Sequence, residues 1–182
     1  MKTIADLRNV PIPQLMSHLP IEPRSGLPLP FFAASPEKGG AAVATMNAVM
    51  ACCHKKVCWI CGKKLLPFCC FISGPIGLSN QVATDGPCHP ACAEYAVRAC
   101  PYMAIPGFKA TASDRFETHK SPGATEIKPE CFAIAYVNKW RFQADERGVV
   151  FFYHRPVRVA WFAAGEPTDD HPDVEPEQEP CP

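Results

Sequence analysis

The sequence predicts an α+β fold, with short antiparallel hairpins and small helices around a treble-clef-like zinc site. Short runs of β-forming residues bracket turn-rich spacers, and brief stretches show helical spacing of apolar residues. The 11 cysteines include two pairs with metal-ligand spacing. Hydrophobic residues make up 47% and charged residues 20% of the 182 residues, which are ordinary globular proportions. We therefore expect one compact domain with flexible ends that folds without disulfide staples.

The N-terminal elements follow from prolines and from apolar spacing. Residues 1–30 contain six prolines, which fix φ, so we predict an extended arm whose Leu and Ile side chains anchor it on the body. Residues 31–34 and 41–44 flank a turn-rich Ser-Pro-Glu-Lys-Gly-Gly spacer and predict a hairpin. Residues 46–54 predict a helix, since their apolar positions follow the i, i+3, i+4, i+7 pattern.

The second half of the chain begins with a predicted loop and a predicted hairpin. Residues 103–128 lack a sustained period and predict a long loop. Residues 131–137 are rich in β-formers, and residues 140–143 and 149–154 bracket Ala-Asp-Glu-Arg-Gly. This arrangement predicts an antiparallel hairpin. Residues 149–153 are apolar on both alternating faces, so we expect their strand to be central or covered on both sides.

The end of the chain predicts a short helix and an acidic tail. Pro156 suits the first position of a helix over residues 156–164, and Gly165 suits the position after its end. Residues 165–182 hold seven acids and no Lys or Arg, so the remaining 164 residues carry 18 − 11 = +7. We predict that residues 166–182 form a disordered, acidic, Pro-rich tail. The alternative hypothesis is that this tail mimics nucleic acid or competes for the basic surface of the body.

The predicted metal site consists of a loop half and a helix half. Cys58 and Cys61 are separated by two residues and followed by Gly62, which allows the turn that aims backbone N–H groups at thiolates. Pro90 fits the first turn of a helix, and His89 and Cys92 can converge from its start on the same ion. The spacing predicts one structural Zn²⁺ held by Cys58, Cys61, His89 and Cys92, with Cys88 as the alternative to His89. The segment between the halves is expected to form a hairpin, residues 65–73 out and back through residues 74–80.

These elements define the predicted domains. An arm (1–30) precedes a zinc-containing α+β domain (31–165), which contains a zinc module (58–100) and a hairpin-plus-helix unit (131–165). The tail (166–182) follows. Cys52, Cys53, Cys69, Cys70 and Cys100 are interpreted as buried thiols, because their positions suit one shared ion poorly.

The segments CWICG, FISGPIGLSN and CHPACAEYAVRACPYM resemble a family of small bacterial and bacteriophage proteins with a CW-x-CG … H-x-x-CAEYA-x-x-ACP core. The segments LPLPFF and PVRVAWFAAGEP are also similar to segments of that family, so the resemblance covers residues 19–168. In that family the position of Cys88 is often not cysteine while His89 is retained, which favours His89 as the ligand. The resemblance implies metal binding and a phage or mobile-element origin, and it brings no assigned activity.

Several activities can be compared on the residues. A thioredoxin-like dithiol lacks its βαβ context, and a zinc deaminase would need an H-x-E segment that the chain does not contain. The main prediction is a non-enzymatic binding protein whose partner is a host protein. The first alternative is a nucleic-acid-binding regulator in which Lys55, Lys56, Lys63, Lys64 and an exposed Trp59 contact the partner. The second is a zinc-braced nuclease using His54, His119 or His154, each of which is more typical of a polar surface.

The cellular compartment is predicted from the lack of a secretory signal or membrane span in the sequence and from the number of cysteines. The first 15 residues have no apolar stretch or cleavage site of a secretory signal. The uncharged run from residue 65 to 84 contains Pro and Gly residues that indicate strands and turns rather than a membrane span. Many cysteines in a reducing compartment favour metal ligation, so we predict a cytoplasmic protein, in the host cytoplasm if it is phage-encoded, with no membrane partner.

Overall fold

The computed structural model describes residues 2–33, 46–108, 128–145 and 148–173. Helices and antiparallel strands both occur in these ranges, so the predicted α+β class is confirmed. In chain order the elements are α1 Ile4–Leu7, a 3₁₀ helix Gln14–Met16, α2 Met46–Lys55, β1 Cys69–Ser73, α3 Pro75–Ser79, β2 Val82–Ala83, α4 Pro90–Ala99, α5 Pro101–Ala104, β3 Cys131–Val137, β4 Trp140–Asp145, β5 Gly148–Tyr153, β6 Arg158–Ala163 and β7 Glu166–Pro167.

A four-stranded sheet with the order β1-β3-β6-β7 lies at the centre of the fold. All its strand pairs are antiparallel, and Phe71, Ala135 and Val159 form one cross-strand row. Every residue of β3 is buried, because both faces of the sheet are covered. On one face Tyr102 of α5 packs edge-on against Phe132 of β3.

The other face is covered by a three-stranded sheet with the order β2-β5-β4. Its β4–β5 pair confirms the predicted hairpin, and β5 is the central strand, as its two apolar faces predict. Phe71 of the first sheet is fully buried and stacks on Tyr153 of β5 with ring centroids 5.0 Å apart. Phe151 and Trp140 lie 6.1 and 6.2 Å from the same ring. This aromatic cluster joins the two sheets.

Helix α2 agrees with the helix predicted over residues 46–54. Its apolar face buries Ala48, Cys52 and Cys53, so the interpretation of these two cysteines as buried thiols is confirmed. The hairpin predicted at residues 31–34 and 41–44 lies mostly outside the described residues. Of the loop predicted at 103–128, Met103 and Ala104 belong to α5, and residues 109–127 lie outside the described residues.

The N-terminal arm is folded and not extended, which corrects the prediction for residues 1–30. It contains α1, capped by Thr3 and Asp6, and the 3₁₀ helix. Its anchors are Leu7, Met16 and Leu27, which are buried, whereas Ile4, Ile12 and Ile21 are exposed. Proline is compatible with the first turn and the flanks of short helices, so six prolines did not require an extended arm.

The helix predicted over residues 156–164 is wrong, because residues 158–163 form strand β6. The apolar residues of this short segment fit both the spacing of a helix and the alternation of a strand. The segment forms a strand because it pairs with the edge of β3. Ala164 and Gly165 have φ of 48° and 77° and form the tight turn between β6 and β7. Gly165 therefore serves a hairpin and does not end a helix.

The hairpin predicted between the two halves of the metal site is also wrong. Strand β1 leads into helix α3, and β2 joins the other sheet. The outgoing and returning segments meet at Cys70 and Cys88, whose backbones exchange two hydrogen bonds of 2.8 and 2.7 Å. Pro75 starts α3 at the position where the prediction placed a turn, which separates the two strands.

The acidic segment is structured at its start. Glu166 and Pro167 form β7, and Glu166 makes an ion pair with Lys2. Thr168 N–H donates to the Trp161 carbonyl at 3.0 Å, and the His171 ring stacks on Trp161 at 4.8 Å. The predicted disorder is therefore wrong for residues 166–167, and residues 174–182 lie outside the described part. No helix among the described residues is long and apolar enough to cross a membrane.

Candidate metal centre

The loop half of the site is a tight turn with Cys58 and Cys61 at its ends. Cys58 N–H donates to the Lys63 carbonyl at 2.7 Å, and Gly62 N–H donates to the Cys58 carbonyl at 2.8 Å. Val57 pairs with Lys64 as an isolated bridge, which closes the base of the turn. Cys61 N–H points at the Cys58 sulfur at 3.5 Å. The backbone therefore stabilises a thiolate at Cys58, as the Cys-x-x-Cys-Gly spacing predicts.

Gly62 is required by two features of this loop. Its φ is 71°, and a Cβ built at this position would lie 2.6 Å from Cδ2 of Phe31. Phe31 is held in place because its N–H donates to the Ile60 carbonyl at 2.8 Å. A side chain at residue 62 would therefore be strained and would push Phe31 away from the loop.

Replacing Gly62 with Ala should destabilise the fold by about 2 kcal/mol or more, since left-handed backbone costs an L-residue about 1–2 kcal/mol and the contact with Phe31 adds to it. Gly107→Ala is the matched control, because Gly107 has the same φ of 71° and nothing within 4 Å of its Cβ. Urea unfolding of the metal-loaded proteins measures both costs. Equal losses in the two variants would show that Phe31 does not clamp the loop.

The helix half of the site is the start of α4. His89 is the N-cap residue, Pro90 is the first helical residue, and Cys92 follows one turn after the cap. The helix begins at Pro90, which confirms the predicted start. Proline at this position removes no helical hydrogen bond. The adjoining Cys88 is tied to Cys70 of β1, which fixes the helix start against the sheet. The positive end of α4 favours a thiolate at Cys92.

The two halves bring four side chains together. One ligand atom from each of Cys58, Cys61, His89 and Cys92 lies within 4.8 Å of the other three. The three thiols are fully buried and His89 is 8% exposed. Among the described residues, this is the one group of Cys, His, Asp or Glu side chains with such spacing. Three sulfurs and one imidazole nitrogen form a set typical of tetrahedral metal sites.

The orientation of His89 suits ligation through Nδ1. Its Nε2 lies 3.1 Å from the Lys64 carbonyl, which can only accept, so Nε2 carries the proton. The Nδ1 atom faces the cluster, 3.4 Å from the Cys61 sulfur. A hydrogen bond from the second ring nitrogen to a carbonyl is the usual way in which a metal-bound histidine is held.

Cys88 occupies a different place. Its thiol lies 3.4 Å from the Gly86 carbonyl and hydrogen-bonds to Cys58, and it does not belong to the four-ligand group. The structure therefore brings His89 to the cluster and leaves Cys88 beside it. Cys69 and Cys70, on opposite faces of β1, are both buried outside the group, and Cys100 is half-buried at the end of α4.

The thiols of the cluster compete for a single negative charge. Hydrogen bonds from Cys61, Cys88 and Cys92 lower the pKa of Cys58. The contact with this thiolate raises the pKa of Cys61 and of Cys92. Three thiolates in one buried site repel one another, so ionisation of all three requires a bound cation.

Metal affinity should therefore rise steeply with pH. Cys61 and Cys92 carry protons in the metal-free site because their pKa values are raised, and both protons must leave on binding. We expect the logarithm of the apparent Zn²⁺ affinity to rise by about two per pH unit above the pKa of His89, which the hydrogen bond to Cys58 raises, and more steeply below it. Competition with a chromophoric chelator at several pH values measures the slope. A slope near zero would show that the thiols are already ionised without metal.

The surface around the loop is basic. Lys55, Lys56, Lys63 and Lys64 are exposed, as predicted, and we call them the lysine rim. Leu65 N–H donates to the Lys56 carbonyl at 2.8 Å, and Lys64 pairs with Val57, so the two lysine pairs lie on adjoining segments. None of the four makes an ion pair with a residue in the described ranges.

Trp59 is not exposed, which corrects the prediction. It is 4% exposed, stacked on Phe32 at 5.1 Å and packed edge-on against Phe151. It is therefore a core residue beside the metal loop and cannot stack on a nucleic-acid base. His54 and His154 are exposed, Tyr95 is buried, and His119 lies outside the described residues.

Three residues that the sequence did not single out support the site, one in the N-terminal arm and two directly after it. His18 Nε2 donates to the Cys61 carbonyl at 2.9 Å, Phe31 covers Gly62, and Phe32 covers Trp59. The sequence contains one signal for these contacts: the LPLPFF segment ends in two adjacent aromatic residues, which are stabilised by packing against another part of the protein. Their target could not be read from the sequence.

A scan against protein-family models finds no match, and no curated protein and no solved structure matches the chain.

Proposed function

We propose that Cys58, Cys61, His89 and Cys92 hold one structural Zn²⁺ in a treble-clef-like arrangement, and that the chain acts by binding a protein. The buried four-ligand cluster carries this proposal. Three cysteines and one histidine complete a tetrahedral shell, so the bound ion offers no open position to a substrate or to water. The ion then contributes folding free energy and fixes the loop on which the lysine rim lies.

A protein partner suits the surface better than a nucleic acid does. Trp59 is buried, so the rim lacks the aromatic stacking platform of single-strand binders. Exposed apolar side chains lie beside the lysines: Leu66 is 70% exposed and Phe31 is 37% exposed. A mixed apolar and basic surface fits an acidic protein surface with an apolar anchor. The resemblance to bacteriophage proteins supports a phage or mobile-element origin and a partner in the host cytoplasm.

Native mass spectrometry of protein made without a histidine tag tests the metal proposal. We expect one zinc ion per chain, lost in His89→Ala and retained in Cys88→Ser. Cys88 is the matched control because it is buried beside the cluster but lies outside the four-ligand group. Retention of zinc in His89→Ala with loss in Cys88→Ser would assign the fourth ligand to Cys88. Absence of metal under reducing conditions would overturn the proposal.

A charge-reversal comparison tests the partner class. Zinc-loaded wild type and Lys63→Glu/Lys64→Glu are used to capture protein from nuclease-treated bacterial lysate. We expect a protein that the wild type retains and the variant loses, and purified binding must reproduce the difference. DNA or RNA binding with a steep salt dependence, lost in the same variant, would instead establish the nucleic-acid alternative.

A further inference from the structure

We propose that residues 174–182 of the same chain occupy the lysine rim, as an internal competitor for the acidic partner. This inference rests on the proposed function, because it assigns an occupant to the same surface. The segment contains Glu175, Glu177 and Glu179 and no Lys or Arg. The rim presents four lysines that make no ion pair with a described residue.

The charge arrangement of the rim calls for an anionic occupant. The bridge between Val57 and Lys64 and the hydrogen bond between Leu65 and Lys56 hold the lysine pairs side by side. Like charges on adjoining segments repel one another within a Debye length of about 8 Å at physiological salt. Glu175, Glu177 and Glu179 lie at every second position, and their three carboxylates can compensate the positive charges of the lysine rim.

Strand β7 lies at the edge of the sheet opposite β1, so the segment that follows it must pass around the sheet to reach the rim. After the turn at Ala164 and Gly165 the chain pairs back along β6, and Thr168 bonds to Trp161. From Trp161 the same direction leads to Arg158, the first residue of β6. The row Arg158, Tyr136 and Cys70 crosses the sheet, and Cys70 pairs with Cys88 next to the metal ligand His89.

The segment is long enough to reach the rim. Three residues along β6 cover about 10 Å, and three strand spacings to Cys88 cover about 14 Å, which gives about 17 Å in a straight line. The line starts at Trp161, on which His171 stacks, and the eight residues from His171 to Glu179 span up to about 26 Å, which leaves about 9 Å for the path around the sheet. His89 bonds to the Lys64 carbonyl, so the rim begins directly beyond Cys88.

Carbodiimide cross-linking of the full zinc-loaded chain tests the contact, because it joins carboxylates and amines that form ion pairs. We expect amide bonds between Glu175, Glu177 or Glu179 and lysines of the rim in monomeric protein, and their loss at high salt. The Lys2–Glu166 ion pair is the internal positive control. Formation of the Lys2–Glu166 link without links from the segment to the rim, or rim links only in dimers, would overturn the inference.

A competition measurement provides the second readout. In the full chain, Glu175→Gln/Glu177→Gln/Glu179→Gln should bind a labelled peptide with the sequence of residues 173–182 about tenfold more tightly than wild type does, since the tethered segment no longer competes. Equal affinities would overturn the inference. Zinc content is measured in every sample: full zinc with no rim contact refutes this inference alone, whereas missing zinc refutes the proposed function.

Discussion

Cys92→Ser should abolish metal binding and unfold the centre of the molecule. Cys92 is fully buried at the start of α4, and its thiol is one of the four converging ligands. Structural zinc supplies on the order of 10–16 kcal/mol of apparent binding free energy in finger peptides, whereas a whole domain is stable by about 5–15 kcal/mol. The variant should therefore lose cooperative thermal unfolding as measured by circular dichroism, and a strong chelator should have the same effect on the wild type.

Cys100→Ser is the matched control for this experiment. Cys100 lies at the opposite end of the same helix, is half-buried and is not part of the cluster. It should retain zinc and unfold cooperatively at a temperature close to that of the wild type. A cooperative transition in Cys92→Ser that is unchanged by the chelator would show that the fold does not depend on the cluster.

Phe71→Ala should produce the second largest loss, about 3–5 kcal/mol of the free energy of unfolding. The Phe71 ring is fully buried and contacts Tyr153, Phe151 and Trp140 across the interface between the two sheets. Its removal leaves a cavity that both sheets line and that rigid strands cannot close. For a chain of this length the melting temperature should fall by roughly 6–20 °C at saturating zinc.

Phe68→Ala provides the comparison for an exposed ring. Phe68 is 42% exposed and stacks on Tyr136 with centroids 6.0 Å apart. Its removal should cost about 1 kcal/mol, the usual contribution of an aromatic pair at the surface. Similar losses in the two variants would mean that the two sheets are not coupled through Phe71.

The elements that the sequence predicted correctly depend on local chemistry. The loop half of the cluster follows from the spacing of Cys58, Cys61 and Gly62. The helix half follows from Pro90, which starts α4, and from the three-residue spacing between His89 and Cys92. Spacing alone brings such residues to one side of a turn or helix start. The β4–β5 hairpin is equally local, because turn residues separate two runs of β-formers.

The elements that the sequence predicted wrongly depend on contacts between distant residues. Residues 158–163 carry apolar residues that suit either a helix or a strand, and the edge of β3 decides between them. Trp59 is buried because Phe32, which follows the N-terminal arm, and Phe151 of β5 pack against it. The path between the metal halves departs from a hairpin because β2 pairs with β5, about 70 residues later in the chain.

The contacts of the arm with the metal loop also affect how long an ion stays bound. His18 and Phe31 donate hydrogen bonds to the carbonyl groups of Cys61 and Ile60, so opening the loop breaks these two bonds in addition to the loop's own. A competing chelator then reaches the sulfurs at a frequency set by this local opening. Two metal sites with the same ligands and the same equilibrium affinity would exchange their ions at different rates if only one of them had the contacts of His18 and Phe31. The residence time of an ion at this cluster would therefore depend on His18 and Phe31 as well as on the four proposed ligands.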